Sequence, residues 1–289
     1  MFSVDSLKVT CLSETSWFDT DLLMSDIKKA GGMNTNQYLI SWDYKNAGGY
    51  SALIEYTKNE QKGYALLDVG WREKYMDWVF DREGVLELLK KDKLNDVFIS
   101  HEHMDHFWGL NSITKIRKDF NLYIPVGFSA KGYDIIEKSN FKGKLIEVYD
   151  RFQNDELSSF VYKMDIILGV KNEQILVFNL KDKGFVTITG CCHPGVNAMM
   201  EYVKNNYGNN LYGLYGGLHI SLLEDWNDQK AKEIEKLSSW GLKKVAANHC
   251  TGVVAVEHMI KKGINVVGGS AKFGSQSKLY VGNSDSIEF

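Results

Sequence analysis

The sequence predicts an α/β sandwich in which mixed β-sheets are covered by helices. Short runs rich in β-branched and aromatic residues, bounded by turn residues, recur along the chain. The early runs follow one another without helices, whereas the later runs alternate with segments of helical spacing. With 289 residues and 44% hydrophobic content, the chain can bury a large core. Together these observations favour a sandwich over a purely doubly wound sheet.

The predicted strands are short and end in turn residues. In chain order they are LKVTCL, NQYLISW, YSALIEYT, GYALLDVG, DVFISH, NLYIPVG, KLIEVY, QILVFNL, GFVTITGCC, LYGLYGG, KKVAANHC and INVVGG. The predicted helices are DREGVLELLKKDKL, PGVNAMMEYVKNNYG, WNDQKAKEIEKLSSWG and GVVAVEHMIKKG. In the third of these, Ala231, Ile234 and Leu237 share one face, and Gly241 is suited to a C-cap.

The chain is expected to form one domain, residues 1–289, with a less regular insertion at about residues 107–175. It has two prolines and no Gly/Ser-rich or Pro-rich tract of linker type. The formal net charge of −3 comes from 34 basic and 37 acidic residues spread along the chain. Nothing therefore attracts the protein to nucleic acid or to an anionic membrane, and a small-molecule substrate is the expected partner.

A cytoplasmic location with reduced thiols is also expected. The N-terminal stretch MFSVDSLKVTCLSETSWF lacks a basic region followed by an apolar one, and no apolar run approaches the ~20 residues that span a bilayer. The four cysteines include an adjacent pair but no CxxC motif, so neither a disulfide framework nor a zinc ribbon is indicated. Cys11 and Cys192 are expected to be small buried hydrophobic residues.

Three of the seven histidines crowd into one loop. His101, His103, Asp105 and His106 lie within six residues, directly after the predicted buried strand DVFIS. A rigid strand end can hold ligands where solvent reaches them. His101 and His103, two apart in extended chain, point the same way and suit one metal ion. Asp105 and His106, where the chain turns into a helix, suit a second ion nearby.

Further ligands are expected at other strand ends, because one short loop rarely completes two coordination spheres. Cys191 and His193 follow the strand GFVTIT and can face one side while Cys192 faces the other. His219 follows a double glycine that permits close backbone approach, and His249 ends the strand KKVAAN.

Two more polar residues receive different interpretations. Asp68 ends the strand YALL, and its carboxylate is expected to accept the spare N–H of a ligand histidine, which fixes the tautomer. The alternative is a turn-forming aspartate before Gly70. His258 lies inside the last predicted helix, where a solvated or capping histidine is expected rather than a ligand.

These segments resemble a known family. SHEHMDHFWGL is similar to the H-x-H-x-D-H motif of the metallo-β-lactamase-fold superfamily, and LLDVG resembles the strand-end aspartate that precedes it. TGCCHPGVNAMMEY, YGGLHIS and NHCTG resemble a branch of metal-dependent hydrolases named for dihydropteroate synthase-like proteins of the methanopterin pathway. The resemblance covers about residues 50–289 in consistent order.

The resemblance implies a four-layer αββα sandwich with a dinuclear metal site along one edge of two facing sheets. By motif position the first metal would be held by His101, His103 and His193, and the second by Asp105, His106 and His249. The bridging acidic ligand of the superfamily falls near Cys191. This cysteine could bind metal as a thiolate, or contact a ligand without binding metal itself. Two divalent ions are expected, with zinc preferred and iron or manganese as alternatives.

The sequence departs from the family pattern in two places. Phe107 and Trp108 stand where many relatives have small residues, and they would narrow the pocket, form a stacking wall or pack in the core. No histidine lies between His106 and His193, so either His193 or His219 must take the place of the third histidine of the usual order.

The predicted function is metal-dependent hydrolysis of a phosphoester or phosphodiester small molecule. Two metal ions lower the pKa of a water to about 7 and clamp an in-line displacement. Asp105 would be both a ligand and the base that orients the water. Three alternatives rank lower: a pterin-type group transferase, a diiron redox protein and a non-catalytic metal-binding protein. His103 counts against the diiron class, which typically carries a glutamate at that position.

Overall fold

The computed structural model describes residues 2–15 and 17–289. Met1 and Ser16, which belong to the N-terminal stretch considered above for a targeting signal, lie outside the described residues. No helix of the described part of the chain is long and apolar enough to cross a membrane.

The first of two β-sheets comes mainly from the N-terminal half of the chain. Its strands are β1 (Ser6–Ser13), β2 (Ser51–Lys58), β3 (Gln61–Leu67), β4 (Asp96–Phe98), β5 (Asn121–Pro125), β6 (Lys144–Val148) and β13 (Ser286–Glu288). Their order in space is β13-β1-β2-β3-β4-β5-β6. The pairs from β13 to β3 are antiparallel and those from β3 to β6 are parallel. The parallel strands therefore end at one common edge.

The second sheet comes from the C-terminal half. Its strands are β7 (Arg151–Gln153), β8 (Leu157–Ile167), β9 (Val170–Leu180), β10 (Gly184–Thr189), β11 (Leu211–Gly217) and β12 (Lys244–Asn248). Their order is β12-β11-β10-β9-β8-β7, with β10, β11 and β12 parallel and the remaining pairs antiparallel. Both sheets are thus mixed, as the sequence predicts.

Helices pack on the outer faces of both sheets and, in one case, over an edge of the sheets. They are α1 (Thr20–Lys29), α2 (Glu73–Arg82), α3 (Val85–Lys90), α4 (Met104–Phe107), α5 (Asn111–Thr114), α6 (Ala130–Lys138), α7 (Val196–Asn206), α8 (Asp228–Ser238) and α9 (Val253–Lys261). Short 3₁₀ turns lie at Gln37–Leu39, Trp108–Leu110 and His249–Thr251.

Three layers of apolar contacts confirm the predicted sandwich. Between the sheets, Ile54 and Phe98 of the first sheet pack in one cluster with Phe178 of the second. A second cluster joins the first sheet to α2, α3 and α6, and a third joins the second sheet to α7, α8 and α9. The architecture is therefore αββα, because each sheet buries one face on the other sheet and one on helices.

The local predictions were wrong in three places. NQYLISW forms a 3₁₀ turn rather than a strand, because the Asn36 side chain accepts a hydrogen bond from the Tyr38 backbone N–H at 3.0 Å and caps the turn. INVVGG makes a single bridge, from Val266 to Val245, instead of a strand. DREGVLELLKKDKL is divided between α2 and α3, because Gly84 adopts a φ of 74° that no helix continues through.

The stretch at residues 107–175, expected to be the least regular, consists largely of helices and strands. It contains β5 to β8, α5, α6 and the start of β9. The β8–β9 hairpin extends beyond the sheet, and its tip binds the segment that follows α1: the Leu168 N–H donates to Met33 O at 3.0 Å, and the Gln37 N–H donates to Leu168 O at 3.0 Å. The hairpin therefore holds the N-terminal segment over the edge of the sheets.

Candidate metal centre

The strand ends of both sheets bring the predicted site residues together at one edge. Asp68 follows β3 and His101 follows β4, whereas Cys191 and His193 follow β10. His249 follows β12. In the first sheet, the extended His101–His103 segment leads into α4, which begins at Met104 and carries Asp105 and His106. The C-terminal ends of parallel strands thus supply ligand-type side chains from two sheets.

One group of donor atoms consists of His101, Cys191 and His193, whose ligand atoms all lie within 4.8 Å of one another. His103 adjoins this group: its Nδ1 lies 2.9 Å from His101 Nε2, and its ring centroid lies 4.9 Å from that of His193. Three imidazoles and a thiol are a donor set that suits zinc, although iron also binds such ligands.

A second group consists of His106, Cys191 and His249, again within 4.8 Å of one another. His106 Nε2 lies 3.2 Å from both His249 Nε2 and Cys191 Sγ. Asp105 Oδ2 lies 3.6 Å from His106 Nε2 and 3.5 Å from His249 Nε2. Cys191 belongs to both groups, so its sulfur occupies the place where a bridging ligand would stand.

The hydrogen bonds of the five histidines show which ring nitrogens face the centre. In each ring one nitrogen has an oxygen acceptor outside the centre: His101 with Ser100 Oγ at 2.8 Å, His103 with Ile167 O at 2.8 Å, His106 with Asp68 Oδ2 at 2.7 Å, His193 with Glu173 Oε2 at 3.0 Å and His249 with Glu14 O at 2.8 Å. That nitrogen is assigned the proton, so the other nitrogen presents its lone pair.

Burial keeps the imidazoles of His101, His103 and His106 neutral. Desolvation lowers the pKa of His101 and His106 well below 6.5, and the neighbouring histidines lower both further. Desolvation also lowers the pKa of His103 to about 3. Lone pairs from neutral rings, such as His101 Nε2 and His103 Nδ1 at 2.9 Å, repel one another unless a cation lies nearby. This donor set therefore fits divalent metal ions and is poorly explained as a purely structural cluster.

Asp68 supports two of these histidines at once. Its carboxylate accepts from His106 Nδ1 and from Ser100 Oγ, each at 2.7 Å, and from the Ser100 backbone N–H at 2.6 Å. Burial raises the pKa of Asp68 well above its usual range, although the Ser100 hydrogen bonds oppose this shift. Because Ser100 Oγ also contacts His101 Nδ1, Asp68 orients one histidine of each donor group.

Glu173, in the middle of β9, is a site residue that the sequence reasoning missed. Its buried carboxylate accepts hydrogen bonds from the backbone N–H groups of Cys191, Cys192 and His193 at 3.0, 2.7 and 2.8 Å. Burial raises the pKa of Glu173, but the hydrogen bonds from His193 and these amides lower it by more, so the net shift is downward. The available signal was a single carboxylate directly before the apolar run QILVFNL.

The backbone is strained where the ligands are presented. Cys192, His219 and His249 have φ values of 62°, 48° and 50°. The left-handed conformation costs a residue with a Cβ atom about 1 kcal/mol or more. At Cys192 the Glu173 carboxylate offsets this cost, because it binds successive N–H groups of the turn.

His219 and His258 lie outside both donor groups. The His219 ring lies 4.5 Å from the His193 ring, and burial lowers its pKa to about 3. The preceding glycines do allow close approach, since a Cβ on Gly217 would lie 2.7 Å from Cys250 Sγ. His258 stacks on Trp226 with ring centroids 3.6 Å apart, far along α9 from the centre.

Phe107 and Trp108 do not line the metal-facing cavity. Phe107 is fully buried against Phe128, with ring centroids 5.0 Å apart, so it packs in the core. Trp108 stacks on Tyr38 at 5.2 Å and borders a separate surface cleft. The four cysteines are buried and unpaired, and Cys11 and Cys192 lie in the hydrophobic clusters, as expected of them.

A cavity of about 380 Å³ opens onto the donor groups. Its floor includes His103, Asp105, Cys191, His193 and His249. Its opposite wall is apolar and comes from α1 and the hairpin tip: Leu23, Met24, Ile27, Ile167 and Leu168. This volume lies within the usual range for small-molecule sites.

The αββα fold and its histidine-rich edge define an α/β protein with candidate metal-binding groups, and comparison with known proteins identifies the family. Residues 46–206, more than half of the chain, match the family model of the metallo-beta-lactamase superfamily. The chain belongs to the metallo-β-lactamase superfamily, as the sequence motifs predicted. The fold generally binds divalent metals.

Named relatives include an archaeal enzyme and two solved structures. The chain is 26% identical to the 7,8-dihydropterin-6-methyl-4-(beta-D-ribofuranosyl)-aminobenzene-5′-phosphate synthase of Methanocaldococcus jannaschii, over 72% of this chain and 82% of that protein. Tm1679, a metal-dependent hydrolase of the β-lactamase superfamily, superposes with a TM-score of 0.62 at 16% identity and covers 98% of both chains. YhfI from Bacillus subtilis superposes with a TM-score of 0.53 at 11% identity, over 99% of this chain and 100% of that one. These structural likenesses concern the fold.

Proposed function

We propose that the protein is a metal-dependent hydrolase that acts on a small molecule at a dinuclear centre. The observation that carries this proposal is the sharing of Cys191 Sγ by two groups of histidine donors. A single-ion site would need only one such group. Two groups with a common sulfur favour two ions held side by side.

In this proposal the first group, with His103, and the second group, with Asp105, each hold one ion, preferably Zn²⁺. Two bound ions would supply Lewis-acid activation of a water molecule and of the bond that it attacks. The chain contributes the orientation of the ligands, because Asp68 and Glu173 fix the rings of His106 and His193.

Asp105 is the carboxylate best placed to orient the attacking water and accept its proton. It lines the cavity, and its Oδ2 lies within 3.6 Å of the ring nitrogens of His106 and His249. Burial raises its pKa, while the nearby His249 opposes the shift. A carboxylate with a raised pKa is a better proton acceptor than an exposed one.

The proposed substrate is a phosphodiester, because a pair of ions can contact both the attacking and the leaving oxygen of an in-line displacement.

A cytoplasmic location belongs to the same proposal. It is supported by four buried thiols without a disulfide, which suit a reducing compartment.

The test combines metal analysis with a chromogenic phosphodiester. Purified protein should contain about two ions per chain, lose hydrolysis of bis(4-nitrophenyl) phosphate on chelation and regain it with Zn²⁺ or Mn²⁺. His101→Ala should lower both metal content and activity. His258→Ala is the matched control, since this histidine stacks on Trp226 outside the centre.

Two results would contradict the proposal. A wild-type protein that binds no metal, with His101→Ala indistinguishable from it, would refute the metal centre. Two bound ions without hydrolysis of any ester would leave a metal-binding protein without this activity. A visible iron–oxo absorption band with oxygen consumption would favour the diiron alternative.

A pterin-type group transfer is a second candidate, favoured by the 26% identity to the archaeal synthase. It would join the amine nitrogen of an aminobenzene derivative to the methylene carbon of a pterin diphosphate, as the carbon–oxygen bond to diphosphate breaks, diphosphate leaves and the amine loses a proton. The cavity supports it less well, because no Lys or Arg is among the described residues that line it and diphosphates usually require such side chains. Formation of the condensation product from these two compounds, measured by mass spectrometry, would favour group transfer over hydrolysis as the function.

A further inference from the structure

The charges around the cavity restrict the substrate more than the metal centre alone does. The described lining residues include Glu14, Asp105 and Glu224 but no Lys or Arg. Outside the cavity, the donor groups are backed by the buried carboxylates of Asp68 and Glu173. Any positive charge available to a substrate must therefore come from the metal ions.

The side chains around the cavity oppose a second negative charge on the substrate. Asp105 lies beside His106 and His249, and Glu14 accepts hydrogen bonds from His249 through its backbone O at 2.8 Å and its carboxylate Oε2 at 3.2 Å. A substrate anion beyond the one that contacts the ions would face carboxylates and apolar side chains, with no Lys or Arg among the described lining residues. Burying such a charge without a partner is strongly unfavourable.

The opposite wall provides apolar contact instead. α1 begins at Thr20 after the Asp19 N-cap and directs Leu23, Met24 and Ile27 at the cavity. Trp17 and Trp71, whose ring centroids lie 4.9 Å apart, extend this wall. Burial of apolar substrate surface against it contributes about 25 cal/mol per Å².

We propose that the substrate has an apolar, ring-sized body with at most one negative charge, that this body packs on the α1 wall, and that dianionic phosphomonoesters are excluded. This inference rests on the proposed hydrolase function and deepens it. Met24 is the specificity-determining residue in this proposal, because it lines the cavity on the α1 wall, where a change of its charge would be felt by the substrate.

The kinetic test compares bis(4-nitrophenyl) phosphate, a monoanion, with 4-nitrophenyl phosphate, a dianion, in the Zn²⁺-loaded protein. The wild type should prefer the diester in kcat/KM by on the order of 100-fold, the effect of one uncompensated buried charge. Met24→Arg should reduce this preference by roughly 10-fold, since it adds a cation to the wall. Ser25→Arg adds the same charge at the next position of α1, which does not line the cavity, and should leave the preference unchanged.

A binding test avoids catalysis altogether. The neutral fluorescent amine N-phenyl-1-naphthylamine should bind chelator-treated wild type and Ser25→Arg equally, and Met24→Arg roughly 10-fold more weakly. Circular dichroism melting curves of the three proteins show whether each is folded.

The outcomes separate the inference from the function on which it rests. Metal-dependent hydrolysis with equal or greater kcat/KM for the monoester would refute the inference and leave the hydrolase intact. Failure of the probe to bind wild type, or binding unaffected by Met24→Arg, would also refute it. Two bound ions without cleavage of either phosphate would overturn the proposed function, even if the probe binds as expected.

Discussion

The carboxylate oxygen Oε2 of Glu173 accepts two hydrogen bonds from His193, one from its backbone N–H at 2.8 Å and one from Nδ1 at 3.0 Å. The other oxygen, Oε1, accepts from the N–H groups of Cys191 and Cys192. One buried side chain of β9 therefore orients both the ring of His193 and the turn that carries Cys191. The positions of two candidate ligands, Cys191 and His193, therefore depend on Glu173. Glu173 does so without contacting Cys191 Sγ, the atom that would bind metal.

Glu173→Gln should weaken both the fold and the first donor group. Whichever way the amide is oriented, its NH₂ group meets N–H donors, so we expect a loss of about 2–4 kcal/mol in the free energy of unfolding. Urea denaturation measures this loss, and a competition titration with a chromogenic chelator measures Zn²⁺ affinity. Glu55 of β2 pairs with Lys62 of β3 at the surface, so Glu55→Gln should change neither quantity appreciably. An unchanged Zn²⁺ affinity in Glu173→Gln would contradict the assigned role.

Asp68→Asn should lower metal affinity without emptying the site. The amide would offer an N–H to His106 Nδ1 and favour the wrong tautomer of His106. Substitution of a residue that hydrogen-bonds to a metal ligand typically lowers metal affinity about 10–100-fold. The same chelator competition measures the effect. Asp134→Asn, which removes a surface pair with Lys138, is the control. Equal affinities in the two variants would show that Asp68 is only a turn residue.

Cys191 should be a metal ligand, and Cys192 should not. Co²⁺-substituted protein should show a near-ultraviolet thiolate-to-metal absorption band that disappears in Cys191→Ser. Burial raises the pKa of the Cys191 thiol well above its usual range, so metal binding is also expected to release a proton. Cys192→Ser should retain the band, because Cys192 Sγ faces Met199 Sδ at 3.7 Å in the core. A band that persists in Cys191→Ser would place its sulfur outside the coordination sphere.

His219→Ala should separate substrate binding from metal binding. The His219 ring lines the cavity beside His193 but belongs to neither donor group. We expect unchanged metal content by elemental analysis and a rise in KM, since one neutral hydrogen-bonding ring is lost; such contacts contribute about 1 kcal/mol, or roughly fivefold. Loss of one ion per chain would instead make His219 a ligand.

Metal removal should destabilise the protein as a whole. The donors come from both sheets, so ions that bind only the folded state stabilise it by about 4 kcal/mol when free metal is 1,000 times its dissociation constant. Differential scanning calorimetry with and without chelator should show a lower Tm for the stripped protein. A Tm that does not depend on metal would mean that the donors do not hold an ion in the folded state.

The sequence predicted the parts of the site that are local in the chain. His101, His103, Asp105 and His106 share one loop, and their crowding is visible without a fold. Glu14 and Glu173 were missed because their contacts join positions far apart in sequence: Glu14 O accepts from His249 Nδ1, and Glu173 accepts from the turn after β10. No periodicity of a single segment contains such contacts.

The fold shows the same division. Strands such as β2 and β10 agree with their predicted runs because a short apolar run bounded by turn residues is a local signal. α1 was not predicted, since TDLLMSDIKK has a weak apolar stripe that becomes meaningful only where Ile27 meets Trp17, Trp42 and Trp71. The apolar cavity wall, on which the proposed substrate preference depends, could therefore not be predicted from the sequence.

The division of the donors between two sheets also sets when the centre can form. His101 and His106 leave the ribosome well before Cys191, His193 and His249 are added. At about 5–20 residues per second, this delay is on the order of 10 s. Throughout that time the nascent chain offers only an incomplete donor set, so the proposed centre cannot form until His249 has been added. The second sheet therefore has to be synthesised before the first one can share an ion with it.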